Sequence, residues 1–348
     1  MGNGAEKLLS VLQKRNIPVS GIFSSEGFGR GKCFCGIPVE SLEALTGRYG
    51  KENLLILVAF GSPLPELFSR MEELEREYEL YLPDLPVFGD VLFDKAFYNE
   101  HLTEMEKARE LFCDERSKDL FDALVAYKLS GELSYLKEAT SDPCDDLLEL
   151  VLTDELSQAC DVGAYDGDTA KVLCDLKKSK APLTLYAVEP DPKNFSKLET
   201  YAKSETRAKI VPIRACAWDR REELAFDGSH NRNASVLSAR SSVLFGRPPK
   251  VLPVQAERLD DLLGEARLDY IKYDVEGAEK EAITGSERLI KRSFPTLAVS
   301  LYHRSEDLFF LPLFLKEKFP EYDSFYLRRK KGFPAWDITL YAKKSKTD

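Results

Sequence analysis

The sequence predicts an α/β protein. Its C-terminal half is expected to form a doubly wound, mostly parallel sheet with a terminal β-hairpin, preceded by a smaller N-terminal α/β domain and a helical bridge. Three observations predict this fold. From residue 147 onward, apolar strand-like segments alternate with helical segments. The first of these strands ends in a turn that contains Gly163 and Gly167. The last two strands are joined directly through residues 331–334, so they form a hairpin and one strand runs antiparallel.

Length and composition indicate a globular protein of two domains. The chain has 348 residues, which is long for one compact core, and 43% of them are hydrophobic while 31% are charged. No segment approaches the run of about 20 apolar residues that spans a bilayer, and the N-terminus lacks the pattern of a secretory signal. We therefore expect a cytoplasmic protein with no membrane insertion. The net charge of −10 argues against nucleic acid as the principal partner.

Cysteines and basic residues indicate no further site. The seven cysteines are scattered, and Cys33 and Cys35 lack the second pair of a zinc site, so we expect free thiols. With three histidines in the chain, a histidine-rich metal centre is excluded. The run 328–331 is basic but lies among acidic neighbours, and we interpret it as a solvated strand end rather than a phosphate site.

The first domain is predicted over residues 1–92 as a small, Rossmann-like α/β domain that lacks a first strand. The apolar run Leu54–Phe60 predicts a strand buried on both faces of a parallel sheet. Gly2-Asn3-Gly4 resembles the glycine turn of a nucleotide-binding unit, but no strand precedes it, so a scaffold or interaction domain is the alternative. The domain is also the candidate surface for a second copy of the chain or another partner. We predict helices at 5–15, 39–49 and 65–81 and strands at 18–23 and 54–60.

Residues 93–148 are predicted to form the helical bridge, because apolar residues recur there at helical spacing and the Gly/Ser richness of a flexible linker is lacking. Residues 149–348 form the predicted C-terminal domain. Its predicted strands lie at 158–163, 183–189, 210–218, 268–275, 296–303, 323–329 and 337–342. Its predicted helices lie at 168–178, 193–206, 258–263, 278–291 and 305–318.

The loop Asp161–Thr169 is the predicted cofactor site. It joins the first strand to a helix, where close backbone approach and unpaired helix N–H groups suit a ligand carboxylate. Glu189, at the end of the next strand, is placed to bind a ribose diol. The spacing G-x-x-x-G, the two negative charges of the loop and the terminal hairpin favour a sulfonium methyl donor over a dinucleotide. The residues expected to contact the cofactor are Asp161, Gly163, Ala164, Tyr165, Asp166, Gly167, Thr169, Glu189, Pro190, Ala217 and Trp218.

Five segments resemble, in this order along the chain, the FkbM-type methyltransferases. They are Asp161–Thr169, Glu189-Pro190-Asp191, Ile271–Glu279, Tyr302-His303 and Tyr326-Leu327-Arg328. The resemblance covers roughly residues 150–343, and the pattern K-x-D-V-E-G-x-E is its most specific part. It implies a Rossmann-like class I methyltransferase fold, S-adenosylmethionine as the donor, and O-methylation of hydroxyls, often on sugars of bacterial glycans or on secondary metabolites.

The acceptor chemistry is expected at the end of the fourth strand of this domain. Strand alternation places Lys272 and Asp274 on one face, where they serve proton removal or form a structural ion pair. Glu276 caps the next helix, contacts the acceptor, or joins Asp274 in a magnesium site that the sequence does not require. His303 ends the fifth strand and is a candidate general base and acceptor contact, or a hydrogen-bonded rim residue.

The polar segment 227–249 is a candidate acceptor loop, in which Asn231 and Asn233 could bind sugar hydroxyls, or a surface loop without a role. We predict an S-adenosylmethionine-dependent O-methyltransferase that acts by in-line transfer on a sugar, a glycan or a glycosylated small molecule. The alternatives are an NAD(P)-dependent oxidoreductase and a non-catalytic scaffold with a methyltransferase-like domain.

Overall fold

A computed structural model describes residues 3–24, 33–137, 140–227 and 251–345 of the protein. None of the helices in these ranges is long and apolar enough to cross a bilayer. The elements of the N-terminal region are α1 (Asn3–Lys14), β1 (Ile22–Phe23), β2 (Cys33–Phe34), β3 (Ile37–Glu40), α2 (Leu42–Tyr49), β4 (Leu55–Leu57), α3 (Pro65–Glu77) and β5 (Glu79–Tyr81).

The N-terminal strands form two small sheets rather than the single buried sheet that we predicted. In one sheet β3 lies between β1, which is parallel to it, and β2, which is antiparallel; in the other, β4 pairs with β5 in parallel. The strand predicted over 54–60 is wrong in extent and burial, because only β4 forms and 52% of Leu55 is exposed. The helix predicted at 39–49 begins at Leu42, where the Ser41 hydroxyl accepts the Ala44 N–H and caps it.

Helices dominate residues 93–148, as predicted for the bridge. Asp94, Asp114 and Asp142 provide N-terminal caps, because each carboxylate accepts backbone N–H groups of the first turn. The longest of these helices ends at Gly131, which takes the left-handed conformation that favours glycine. The helices are α4 (Lys95–Glu100), α5 (Leu102–Leu111), α6 (Glu115–Ser130) and α7 (Pro143–Asp146).

The C-terminal region alternates strands and helices. Its strands are β6 (Gln158–Val162), β7 (Thr184–Val188), β8 (Lys209–Ile213), β9 (Cys216–Ala217), β10 (Glu222–Asp227), β11 (Val251–Glu257), β12 (Tyr270–Tyr273), β13 (Thr296–Ser300), β14 (Ser324–Arg329) and β15 (Ile338–Lys343). Its helices are α8 (Asp168–Leu176), α9 (Pro192–Ser204), α10 (Leu259–Leu263), α11 (Glu279–Thr284), α12 (Glu287–Ser293) and α13 (Asp307–Lys318).

Within the described ranges, the central sheet has seven strands in the order β14-β15-β13-β12-β6-β7-β8. Only β15 in this sheet runs antiparallel to its neighbours. This confirms the doubly wound, mostly parallel sheet with a terminal hairpin. The strand order reverses between β6 and β12, and ligands of such sheets bind at the carboxyl ends of the strands on either side of that point. Parallel pairing places Lys272 directly beside Asp161.

Two predicted elements of this region are interrupted. The strand predicted at 210–218 ends at Ile213, and β9 joins β10 and β11 in a separate sheet. The helix predicted at 278–291 is divided at Gly285, where the backbone of Trp218 comes so close that a Cβ would overlap its carbonyl oxygen. The Asp260 carboxylate then accepts the N–H groups of Arg288 (3.1 Å) and Leu289 (2.9 Å), which satisfies the first turn of α12.

A hydrophobic core crosses the boundaries of the predicted domains. One cluster contains Ile56 of the N-terminal region, Leu124 of the helical bridge, and Ile271 and Leu340 of the central sheet. The bridge therefore packs both against the N-terminal region, which precedes it in the sequence, and against the central sheet, which follows it. The division into three domains stays a prediction.

The arginines of β14 are not at a solvated strand end, which corrects our interpretation of the basic run. Arg328 is 2% exposed and Arg329 is 1% exposed. Nη2 of Arg328 lies 2.8 Å from Oδ2 of Asp114, at the start of α6, and Nη1 of Arg329 donates to the carbonyl of Leu136 at 3.2 Å. Both guanidinium groups are buried against the bridge, where a carboxylate and a backbone carbonyl compensate their charges.

Candidate active site

A cleft of about 570 Å³ opens at the carboxyl ends of β6, β7 and β12. Small-molecule sites commonly have volumes of about 300–1,000 Å³. One end of the cleft is formed by the predicted cofactor residues and the other by the predicted acceptor residues. Three of the lining residues other than glycine, Tyr165 (φ 49°), Glu276 (φ 55°) and Asp337 (φ 54°), have left-handed backbones. Such strained residues concentrate at functional sites.

The donor end is formed by the loop after β6 and the end of β7. Of the predicted cofactor residues, Gly163, Tyr165, Glu189 and Pro190 line the cleft. Gly163 has a φ of +89°, and a Cβ at this position would collide with the carbonyl oxygen of Asp274. Glycine is therefore required here by the approach of two strand ends as well as by the backbone conformation.

Glu189 is the buried acceptor of the donor end. It is 6% exposed, and its two oxygens accept the backbone N–H groups of Tyr165 (2.9 Å) and Asp191 (2.8 Å). Burial raises the pKa of Glu189 to about 7, although both of these hydrogen bonds lower it. The two bonds fix the orientation of the carboxylate at the wall of the cleft.

Six residues predicted to contact the cofactor are not among the lining residues: Asp161, Ala164, Asp166, Gly167, Thr169 and Trp218. Asp161 is fully buried beneath the loop and faces Lys272, while Asp166 points to Lys197 at 4.0 Å. Both carboxylates that we expected near the cofactor therefore face lysines instead. Asp168, which lies between the predicted positions and was not among them, lines the cleft instead.

The predicted pair Ala217 and Trp218 is divided between two environments. Ala217 lines the cleft, but from β9 rather than from the end of the third strand of the central sheet. Trp218 is not a lining residue and packs against the small cluster of Cys216, Val254 and Ala256. The prediction missed this because it treated 210–218 as one strand.

Asp274 is the centre of the acceptor end. Its Oδ1 accepts a hydrogen bond from the hydroxyl of Tyr302 (3.2 Å), and its Oδ2 lies 3.3 Å from Nζ of Lys272. The same ammonium lies 3.5 Å from Oδ1 of Asp161. Asp274, Lys272 and Tyr302 all line the cleft. The predicted pairing of Lys272 with Asp274 is thus present, with Tyr302 as a third polar group.

The charges of this network are set by each other. Burial alone would raise the pKa of Asp274, but Lys272 and His303 hold it below its usual range. Burial also raises the pKa of Asp161, to about 6, against the opposing effect of Lys272. Burial alone would lower the pKa of Lys272, but Asp161 and Asp274 raise it well above its usual range. Asp274 is therefore ionised and Lys272 is charged at neutral pH.

His303 lies beneath the cleft and is fully buried. Its Nδ1 lies 2.9 Å from Oε1 of Glu279, and its Nε2 lies 3.5 Å from Oδ1 of Asp274 and 3.6 Å from Oε2 of Glu276. Burial alone would lower the pKa of His303, but Glu279, Glu276 and Asp274 raise it to about 10. In this arrangement the imidazole is protonated near neutrality, which argues against the predicted general base and against direct contact with an acceptor.

Glu276 lines the cleft beside Asp274. Burial raises the pKa of Glu276 to about 7, and His303 opposes this shift. The predicted helix cap is absent, because α11 has no side-chain cap; Oε1 of Glu279 instead accepts the N–H of Val275 at 3.0 Å and closes the turn between β12 and α11. Asn231 and Asn233, the other predicted acceptor contacts, lie outside the described residues.

Residues 161–333 match the model of the methyltransferase FkbM domain. This region belongs to the FkbM family of S-adenosylmethionine-dependent methyltransferases. The family assignment decides for a methyl donor over the dinucleotide that the loop spacing had left open. No curated protein matches the chain.

Solved structures similar to the chain include the methyltransferase FkbM from Methylobacillus flagellatus KT, with a TM-score of 0.68 and 20% identity over 92% of this chain and 82% of that one. At this identity the similarity shows the fold. Two others have TM-scores below 0.5. An rRNA methylase from Streptococcus thermophilus has a TM-score of 0.37 and 12% identity over 58% of this chain and 94% of that one. The Aeropyrum pernix fibrillarin in complex with S-adenosyl-L-methionine has 0.35 and 14%, over 57% and 70%.

The wall of the FkbM domain's cleft that faces the strand ends was not predicted. Its N-terminal part consists of Gly61, Ser62, Pro63 and Val87. Its other part is the hairpin turn, with Lys330, Gly332, Phe333, Pro334, Trp336 and Asp337. Two backbone hydrogen bonds join the parts, from Ser62 N to Phe333 O (2.7 Å) and from Phe333 N to Ser62 O (3.1 Å). Only the adjacency of an aromatic and an acidic residue in the turn, Trp336-Asp337, could have signalled this wall.

Proposed function

We propose that the protein transfers the methyl group of S-adenosylmethionine to a hydroxyl of a sugar, a glycan or a glycosylated small molecule. The observation that supports this most is the position of Asp274. An ionised carboxylate lies in the same cleft as the donor end, and its two oxygens are oriented by Tyr302 and Lys272.

At the donor end, the protein binds the cofactor through Glu189 and the loop after β6. Glu189 would accept hydrogen bonds from the ribose diol with its remaining lone pairs, since each oxygen already accepts one backbone N–H. Gly167, the N-cap residue of α8, has no side chain, and Oδ1 of Asp168 accepts the N–H of Thr169 at 2.7 Å; the other N–H groups of this helix start can receive the cofactor carboxylate. Asp168 lines the cleft, and its other oxygen can accept a hydrogen bond from the amino group of the cofactor.

At the acceptor end, the hydroxyl oxygen attacks the methyl carbon in line with the sulfur. A C–O bond forms, the C–S bond breaks with its electron pair on sulfur, and the hydroxyl proton passes to Asp274. The low pKa of Asp274 is adequate for this step, because the hydroxyl becomes strongly acidic as the methyl group is transferred. Lys272 maintains the carboxylate in its ionised form and fixes its orientation.

The wall of the cleft supports a carbohydrate acceptor. Trp336 is 37% exposed and presents an aromatic surface on which the C–H face of a sugar ring can pack. Ser62, Lys330 and Asp337 line the same wall and offer hydrogen-bonding groups of both kinds. A few convergent polar groups beside an aromatic surface are typical of a small-molecule site.

A labelled-methyl assay tests the proposal. Purified protein with labelled S-adenosylmethionine is offered nucleotide sugars and glycans, with amines and carboxylic acids as other acceptor classes. We expect label in an ether on a sugar hydroxyl, and Asp274→Asn should lower turnover by about 10²–10⁴-fold while S-adenosylhomocysteine still binds. Asp119→Asn, on the exposed face of α6, is the control. Label on nitrogen only, or full turnover in Asp274→Asn, would refute the proposal, and a chain that binds no cofactor would be a scaffold.

A further inference from the structure

Beneath the acceptor end, the side chains of His303, Asp274 and Glu276 face each other without forming hydrogen bonds to one another. Nε2 of His303 makes no hydrogen bond, although the residue is fully buried. Its Nε2 faces Oδ1 of Asp274 at 3.5 Å and Oε2 of Glu276 at 3.6 Å. Both distances are longer than the roughly 2.7–3.2 Å of a hydrogen bond. A buried nitrogen thus points between two carboxylate oxygens without bonding to either.

These distances suit a shared metal ion. For ligand atoms about 2.2 Å from one ion, neighbouring ligands are about 3.1 Å apart in an octahedral arrangement and about 3.6 Å apart in a tetrahedral one. The spacings of Nε2 from the two oxygens lie at the upper end of this range. One ligand atom each of Asp274, Glu279 and His303 also lies within 4.8 Å of the other two. Nε2 of His303 is therefore close enough to each of the two carboxylates to share a cation with it.

The outer contacts of His303 match those of metal-bound histidines. Such a histidine usually donates its other ring N–H to a carboxylate, which fixes the tautomer and the ring orientation. Here Nδ1 lies 2.9 Å from Oε1 of Glu279, which is 1% exposed. Oδ2 of Asp274 faces Lys272, so that Oδ1 is directed to the gap. Tyr302 donates to the same Oδ1, which leaves a lone pair for a cation.

The charge of the region also calls for a cation. Asp161, Asp274, Glu276 and Glu279 offer four carboxylates around the floor of the cleft, and Lys272 is the positive side chain that contacts two of them. A proton on His303 compensates part of this charge. A divalent ion on Nε2 in place of that proton would compensate more of it.

We propose that His303, Asp274 and Glu276 bind a divalent transition-metal ion at the floor of the cleft, with Glu279 positioning His303. An imidazole among oxygen ligands favours an ion such as Mn²⁺ over Mg²⁺. Asp274 and Glu276 line the cleft, so the open coordination positions face the acceptor. There, on the basis of the proposed function, the ion binds the acceptor oxygen and makes its hydroxyl more acidic.

Binding of Mn²⁺ to the full chain tests the site without turnover. Apo protein saturated with S-adenosylhomocysteine is titrated with Mn²⁺, and the loss of the free-ion signal is followed by electron paramagnetic resonance. We expect one ion per chain. His303→Gln and Glu276→Gln should each weaken binding by tenfold or more, and Glu279→Gln by about 10–100-fold. His101→Gln, which removes a histidine stacked between Phe97 and Phe309, should bind Mn²⁺ as the parent protein does.

The folding of each variant is checked by its affinity for S-adenosylhomocysteine, and if His303→Gln fails to fold, Glu276→Gln decides alone. No Mn²⁺ binding by the parent protein, or equal binding by the folded Glu276→Gln variant, would overturn the site. Methyl transfer at full rate in EDTA would overturn only the role of the ion. A chain that binds Mn²⁺ through these residues but methylates no hydroxyl would retain the metal site and overturn the proposed function.

Discussion

Cofactor affinity is expected to fall about tenfold between pH 8 and pH 6, with Glu189 as the group responsible. Burial raises the pKa of this carboxyl to about 7, so it changes charge within the range in which such enzymes are assayed. The ionised form can accept both ribose hydroxyls, while the protonated form has lost part of its acceptor capacity. Binding should therefore favour the deprotonated protein.

The magnitude follows from this pKa alone. If only the ionised form binds, the apparent dissociation constant is multiplied by one plus the ratio of protonated to ionised Glu189. That factor is about 11 at pH 6 and about 1.1 at pH 8, a tenfold change that corresponds to about 1.4 kcal/mol. The raised pKa of Glu189 also affects the folding stability of the ligand-free protein, and this effect has the opposite dependence on pH. Its contribution to stability is present below the unfolded pKa of about 4.3 and is lost as the pH rises through 7.

Calorimetric titration with S-adenosylhomocysteine at pH 6, 7 and 8 measures the effect. Glu189→Gln should bind weakly with little dependence on pH, because the titrating group is gone. Glu199→Gln, which removes an exposed glutamate from α9, should follow the parent protein. A parent protein with constant affinity over this range would refute the reasoning. So would a Glu189→Gln variant with the parent's slope, because the dependence would then arise from another group.

Three further changes have expected outcomes. Gly163→Ala should abolish cofactor binding and lower the melting temperature, because the new Cβ would collide with the end of β12. Gly89→Ala is the control, because Gly89 has a similar positive φ but open space around it; it should lower the free energy of unfolding in denaturant by only about 1–2 kcal/mol. Gly61→Ala should raise the acceptor KM and leave S-adenosylhomocysteine affinity unchanged, since its Cβ would lie 2.6 Å from the Trp336 ring on the acceptor wall. Asp84→Ala should destabilise the protein by about 3–5 kcal/mol in urea unfolding, because it leaves Lys128 buried without the carboxylate now 2.6 Å away; equal stability would contradict this.

The sequence predicted best the features that neighbouring residues determine. The turn from β6 to α8 needs a left-handed residue at both Gly163 and Gly167, and glycines with this spacing after an apolar strand are visible in the sequence alone. The same holds for Asp274, whose position follows from the end of an apolar strand. Predictions failed where contacts with distant chain segments determine whether a residue is buried. Leu55 lies in an apolar run but is half exposed, and among the described residues its strand belongs to a sheet of only two strands.

His303 shows why the chemistry of the site was harder to predict than its position. A histidine at a strand end has an unperturbed pKa near 6.5, which makes it a candidate base at neutral pH. The structure surrounds it with Glu279 and Glu276 from the turn after β12 and with Asp274, and these carboxylates reverse the effect of burial. The strand end that locates His303 is encoded locally, but the field that sets its charge arises from the pairing of β12 with β13. A histidine that already carries a proton at neutral pH cannot remove one from the acceptor.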